Sequence, residues 1–399
     1  MRLPRHAGYP RWLRASRSGR FRSNLAEPRA REPDAPSPRI FTLSTGIRNL
    51  PPDMGSLCFV GLGLGPLGVT LEGLEEIRKA DIVYLEYYTT PHEPTILDVL
   101  EKAAGRQLSV VDRGFVEDGG SILEEASRSR VCLVVPGDPM IATTHSDLRV
   151  RALRAGIETR VVHAASIASA AASASGLHFY KFSRATTITC ETLANPEQAY
   201  RQLHRNLLEG SHTLFLLEYD TEGERGVSPS EAIEGLLRAE SNFKRGVVSD
   251  DTFALVLARV GRRDQRNVAG AFSSLVRADC GDPPHSLIVP GRLHFTEVES
   301  VCSVFGVESS AVRDNSEGVR STSQVLVPRY VEKAKRALES VRGRLPPEYS
   351  AVAENAELYM KDALDFLAKG DDELAMLSIG YAEGLLDSLG FAGVVRIEW

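Results

Sequence analysis

Residues 56–86 read SLCFVGLGLGPLGVTLEGLEEIRKADIVYLE: an apolar run, a glycine-rich turn, an amphipathic stretch and a second apolar run. The pattern predicts a strand, a turn, a helix and a strand. Such a turn brings bare backbone to the carboxyl edge of a sheet, where open α/β folds bind ligands. Thr70 is placed to cap the helix, Glu72 and Glu75 lie near its positive end, and Leu71, Leu74 and Ile77 form its core-facing stripe. Gly63-Leu-Gly65-Pro-Leu-Gly68 fits G-x-G-x-x-G, and Glu86 ends the next strand near the position of a ribose-binding acid. Against a dinucleotide, the first strand ends near Val60 and the helix begins only at Thr70, whereas a dinucleotide fingerprint opens its helix within the glycines. Pro66 also removes one N–H from the turn. A dinucleotide, a methyl donor and a purely structural turn all remain compatible with this stretch.

Outward from it, strands are predicted at 57–60, 82–85, 108–111 and 131–135, with helices at 70–79, 94–103 and 121–128 between them. That alternation implies a mostly parallel sheet covered by helices, an amino-terminal α/β lobe over 54–155. A second α/β lobe over 156–308 has strand candidates at 159–162, 185–189, 213–217, 253–258 and 287–289, and helices at 196–208 and 228–240. The expected fold class is therefore α/β, two lobes with a cleft between them. Polar residues over 309–324 read as a linker. Residues 325–399 then carry only helical periodicity, in three stripes: Tyr330, Ala334, Ala337, Leu338 and Val341; Leu358, Ala363, Phe366 and Leu367; Leu374, Leu377, Tyr381, Leu385 and Leu389. This is a small all-α module with little that looks chemical in it.

Residues 1–53 hold eleven Arg, no Lys and four acids, about +7, so the −6 of the whole chain leaves about −13 on the other 346 residues. An acidic body disfavours sequence-independent nucleic-acid binding. The Arg-rich leader reads as disordered or as the product of an upstream start, since Met54 sits where a compact domain begins; a targeting peptide and a basic arm for RNA are the alternatives. Five scattered cysteines, none spaced CxxC, argue against a disulfide framework or a zinc site and fit a reducing cytoplasm. No apolar run reaches the roughly 18–20 residues of a membrane span.

A second stretch, VVPGDPMIATTH at 134–145, follows a buried strand with a sharp Pro-Gly-Asp-Pro corner. Together with VGLGLG and the capped helix, it resembles the tetrapyrrole-methylase superfamily, the class III fold of S-adenosylmethionine-dependent methyltransferases. Within that superfamily the blocks YLEYYT, PGDPMIATTHSDLRVRALRAGIET, GLHFYKF (176–182), HTLFLLEYD and GDPPHSLIVPGRLHFTE resemble the diphthine synthase family, in order across about 57–307. The resemblance implies an enzyme that uses S-adenosylmethionine to methylate, up to a trimethylammonium, the amino group of a 3-carboxy-3-aminopropyl-histidine on elongation factor 2. It also implies a homodimer. The rival readings are a corrin or ribosomal RNA methyltransferase of the same fold, a dinucleotide-dependent oxidoreductase, and a degenerate adaptor. The helical tail resembles a small archaeal family of unknown function.

The family's donor contacts carry over to Leu64 in the glycine turn, Asp138 and Ile141 in GDPMI, Ser166 and Ile167 in HAASIAS, Leu217 in LFLLEYD, Val260 in LARVG and His285 in DPPHS. Each has a plainer role open to it: Asp138 in a Gly-Asp-Pro corner is a turn former, and His285 a loop hydrogen-bonder. His145, His163 and His178 read as structural, and Arg149, Arg151 and Arg154 as a solvated face. No residue stands out as a general base, and no metal is implied.

Overall fold

The computed structural model describes residues 55–399 apart from 92–95, 221–222 and 224. The expectations for the leader therefore fall outside the described residues. The chain runs β1 (Ser56–Gly61), α1 (Leu71–Lys79), β2 (Ile82–Glu86), α2 (Ile96–Ala104), β3 (Ser109–Val111), α3 (Arg113–Asp118), α4 (Gly120–Ala126), β4 (Arg130–Val135), α5 (His145–Arg154) and β5 (Glu158–Val162). These strands form one all-parallel sheet in the order β3-β2-β4-β1-β5. β1 and β4, at its centre, read as continuous apolar runs because both faces are covered. Thr70 caps α1 as the sequence requires, its hydroxyl accepting the Gly73 N–H at 3.0 Å.

One expectation is corrected here. The strand at 159–162 was assigned to the second lobe, yet β5 pairs with β1, Ser56 opposite Glu158, and completes the first sheet. A crossover through α5 returns the chain beside β1, and periodicity alone does not report which sheet a strand joins.

The second sheet is built from β6 (Thr186–Ile188), β7 (Thr213–Leu217), β10 (Phe253–Ala258), β11 (Arg266–Ala271) and β12 (His285–Val289), in the order β11-β10-β12-β7-β6. It is mixed: β6 and β7 are parallel and the other pairs antiparallel. Packed with it are α6 (Ile167–Ser175), α7 (Glu197–Leu208), α8 (Pro229–Phe243), α9 (Phe272–Leu275) and α10 (Phe295–Phe305), with the short pair β8 (Tyr219–Asp220) and β9 (Arg225–Gly226) beyond β7. β11, RNVAGA, is absent from the predicted strands because this polar, glycine-containing edge lacks an apolar run.

The polar linker is pinned rather than loose. Asn315 accepts the Phe253 N–H at 3.0 Å and donates to the carbonyls of Phe253 and Pro290, both at 2.8 Å. Beyond it, α11 (Thr322–Arg342), α12 (Ser350–Ala368) and α13 (Asp372–Phe391) share their own core. The first predicted stripe packs there, but of the third only Leu389 is buried and Leu385 partly so. Leu374, Leu377 and Tyr381 face outward, while Ala375, Ile379, Ala382 and Leu386 face in. Small residues let α12 and α13 pack closely, so the inward face is the less hydrophobic-looking one.

GLHFYKF owes its residues to a buried carboxylate. Glu297 of α10, fully buried, accepts the backbone N–H groups of His178 and His294, each at 2.8 Å, and pairs with His212 Nε2 at 2.9 Å and with the Lys181 ammonium. His212 Nδ1 accepts the Gly291 N–H, so its Nε2 carries the hydrogen and the ring is neutral, as its burial, which lowers its pKa, also favours. Burial pushes the Glu297 carboxyl up, but these donors outweigh it and hold it down to about 2. A carboxyl whose pKa is depressed by folding adds stability above its unfolded value of about 4.5 and loses it as pH falls toward 2. Glu297→Gln should cost on the order of 3 kcal/mol and flatten that acid-side loss, as measured by denaturant unfolding from pH 7 to 3.

Candidate active site

The two glycine-containing corners found in the sequence meet directly. Gly63 N–H donates to the Gly137 carbonyl at 3.0 Å, and Gly137 N–H donates back to Gly63 at 2.9 Å. Both glycines have positive φ, +70°, a conformation that L side chains rarely adopt. On the other side of the turn, a Cβ at Gly65 would lie 2.6 Å from the carbonyl oxygen of Gly261 in the second lobe. The glycine turn is thus held between two other loops, one from each lobe.

These loops wall a cavity of about 400 Å³ between the lobes. All eight positions carried over from the sequence line it: Leu64, Asp138, Ile141, Ser166, Ile167, Leu217, Val260 and His285. They come from loops after β1, β4 and β5, from β7, from the loop after β10 and from β12, so only the folded chain brings them together. Two loops carry strain at this wall. Ala142 and Arg259, next to Val260, hold positive φ of 56° and 55°, a conformation that costs of order 1–3 kcal/mol outside glycine.

The polar members are fixed by internal bonds. Asp138, buried, accepts the Met140 N–H at 3.0 Å through Oδ1, while Oδ2 meets His163 Nδ1 at 2.8 Å and the Ala164 N–H at 3.3 Å. Its carboxylate therefore shapes the corner while fixing a negative charge at the cleft. His163 serves as its partner. Ser166 caps α6, its oxygen accepting the Ala168 N–H at 3.2 Å, which leaves its O–H to donate. His285 donates from Nε2 to the Gly281 carbonyl at 2.9 Å, and burial lowers its pKa, keeping the ring neutral. Leu64, Ile141, Ile167 and Leu217 supply apolar surface.

The turn is not a phosphate cradle. α1 begins at Leu71, six residues past Gly65, and its first turn is already capped by Thr70. An apolar wall with buried carboxylates at Asp138 and Glu86 and no free helix terminus at the glycines suits a cationic, phosphate-free ligand.

Comparison with known proteins agrees. Residues 56–276 match the tetrapyrrole (corrin/porphyrin) methylases. The chain is 38% identical over 259 residues to the diphthine synthase of Methanothermobacter thermautotrophicus, covering 64% of this chain and 98% of that one. It is 37% identical to the diphthine synthase of Methanocaldococcus jannaschii over 61% of this chain and 97% of that one. The chain belongs to the diphthine synthase family. A crystal structure of diphthine synthase superposes with a TM-score of 0.58 at 31% identity, covering 64% of this chain and 98% of that chain. The member described here is an S-adenosylmethionine-dependent methyltransferase of diphthamide biosynthesis. Residues 329–395 match a separate family of proteins of unknown function, DUF357. Among the described residues no helix is long and apolar enough to cross a membrane.

Sequence reasoning left other wall residues unused. Glu86, weighed only as a ribose ligand, is buried in the wall, and Tyr88 and Arg113 line it beside Glu86. The available signal was an acid ending an apolar strand at the sheet's carboxyl edge. His145, read as structural, packs against Glu86. Arg151 is not a solvated residue: its guanidinium donates to the carbonyls of Asp118 and Glu117 at 2.6 and 3.0 Å, tying α5 to the end of α3.

Because Gly65 has no room for a Cβ, Gly65→Ala must displace the loop at Gly261. Calorimetry should show S-adenosylmethionine binding weakened at least tenfold, about 1.4 kcal/mol. Gly343→Ala, where a Cβ meets nothing within 4 Å, should bind as wild type does.

Proposed function

We propose that this enzyme methylates the amino group of the 3-carboxy-3-aminopropyl-histidine of elongation factor 2, adding up to three methyl groups. The observation that carries the reading is the convergence of eight positions, separated by up to 221 places in the chain, on one interlobe cavity in a diphthine synthase relative. In it Leu64, Ile141, Ile167 and Leu217 hold the adenosine, Val260 offers its backbone, and Ser166 and His285 offer polar groups. The charge of Asp138 favours the cationic end of the donor.

S-adenosylmethionine supplies an electrophilic methyl carbon on a sulfonium. Transfer is an in-line displacement, so the chain's contribution is to position the acceptor amine, exclude water and keep the amine unprotonated. A free α-amino group has a pKa of about 8, and desolvation between the lobes lowers it. Once trimethylated, the nitrogen has no lone pair left to attack, which ends the sequence. The acidic body fits a protein acceptor better than RNA. A homodimer working in the cytoplasm completes the reading, with light scattering as the check on the dimer.

Intact-mass spectrometry of suitably modified elongation factor 2, incubated with enzyme and donor, should show one to three methyl increments, and no shift would refute the assignment. Leu64→Arg should abolish the shift by filling the donor's place. Asp138→Ala should weaken donor binding by about tenfold or more, about 1.4 kcal/mol.

A further inference from the structure

The proposed donor positions account for only part of the cavity wall. One further part comes from the end of β2, the turn after it and α3, and it includes Glu86, Tyr88, Thr89 and Arg113. Glu86 is only 1% exposed. Burying a carboxylate is costly unless its charge is compensated and its oxygens hydrogen-bonded. Here the compensation is incomplete. Thr89 Oγ1 donates to Oε1 at 3.1 Å, and His145 Nε2 lies 2.6 Å from Oε2. The two atoms lie within ion-pair range, yet neither Glu86 Oε2 nor His145 Nε2 makes a hydrogen bond. His145 Nδ1 faces the Pro139 carbonyl at 3.0 Å, which can only accept, so Nδ1 holds a hydrogen.

Arg113 stands across the same wall. Its guanidinium carbon is 5.3 Å from the centre of the Tyr88 ring, and it makes no ion pair among the described residues. Burial, reinforced by the negative charge of Glu86 and of Glu117, pushes the Tyr88 phenol up, while Arg113 pulls it down. One wall therefore presents a buried acid with an unbonded oxygen and an exposed cation without an ionic partner, separated by a tyrosine.

We propose that this wall is the acceptor subsite, where Arg113 pairs with the carboxylate of an amino-acid-like side chain and Glu86 takes the proton from its amine. The inference rests on the acceptor named above, whose amine and carboxylate share one carbon. The ammonium N–H bond breaks and an O–H bond forms on Glu86, leaving the amine its lone pair. That pair forms the N–C bond as the C–S bond breaks, its electrons going to sulfur. Glu86 passes its proton to water before the next methyl. Among charged and titratable groups, His145 from α5 touches Glu86, and Tyr88 from the turn feels Glu86 together with Arg113 and Glu117 from α3.

Glu86→Gln and Arg113→Met test the subsite with three readouts. Calorimetry should give both variants a donor affinity within threefold of wild type. Without donor, wild type should bind modified elongation factor 2 more tightly than the unmodified protein; Arg113→Met should lower that preference at least tenfold and raise KM with kcat within threefold. Glu86→Gln should lower kcat on the order of 100-fold at pH 7, with recovery toward wild type as the pH passes about 8 and the amine deprotonates unaided. Parallel loss of donor binding in both variants, a Glu86→Gln defect that persists at high pH, or an unchanged preference in Arg113→Met would overturn the subsite. Wild type that binds donor yet neither prefers nor methylates the modified acceptor refutes the parent reading instead, and this one with it.

Discussion

Two reciprocal hydrogen bonds between Gly63 and Gly137 join the loop after β1 to the loop after β4. β1 and β4 are neighbours in register, Gly61 opposite Val135, so the sheet delivers both loops to the same point on its carboxyl edge. The backbone bridge then fixes their separation. It needs positive φ at both residues, which explains why glycine stands at each. The same turn touches the second lobe at Gly261, where even a methyl group would collide with a carbonyl. The cleft's geometry is thus set by backbone against backbone, with side chains filling in the chemistry.

Around that junction the polar groups divide the work. Asp138, Ser166 and His285 are tied to their own loops by internal hydrogen bonds, so they enter the cavity already oriented. The strained backbone at Ala142 lies in the Asp138 loop, and that at Arg259 in the loop after β10. Strain there must be balanced by the body of each lobe, and the second lobe has the Glu297 network for this, joining α10 to the segment before β6 and the strand end at His212. Stability is stored away from the cleft while the cleft keeps its unfavourable conformations.

The first lobe was the most legible part of the sequence. Parallel strands covered on both faces read as apolar runs, and Thr70 announces the start of α1. Of the predicted stripe behind it, Leu71 faces solvent at 84% exposure and Ile77 is the one of the three that is buried. β11 and the mixed order of the second sheet were not legible, since an edge strand with polar and glycine residues leaves no apolar pattern. The membership of β5 was missed because pairing is a long-range property. On α13 periodicity pointed to Leu374, Leu377 and Tyr381, yet helix packing buries Ala375, Ile379, Ala382 and Leu386. The eight cavity positions came from family resemblance, and the structure brings them to one wall. Glu86 left only the weak signal of an acid ending an apolar strand, and Arg113 none. The third dimension shows an acid with one unbonded oxygen in the same wall as a cation without an ion pair among the described residues.

The helical module after Asn315 adds its own core and a match to a family without assigned function, and it supplies none of the residues lining the cavity. The account centres instead on the Gly63–Gly137 junction as the place where the donor lies between the lobes. A crystal structure with S-adenosylhomocysteine tests this most directly. It should show the ligand in contact with Leu64, the Asp138 corner and the His285 strand at once, with the glycine bridge intact. Ligand bound elsewhere, or held by one lobe with the bridge broken, would contradict it.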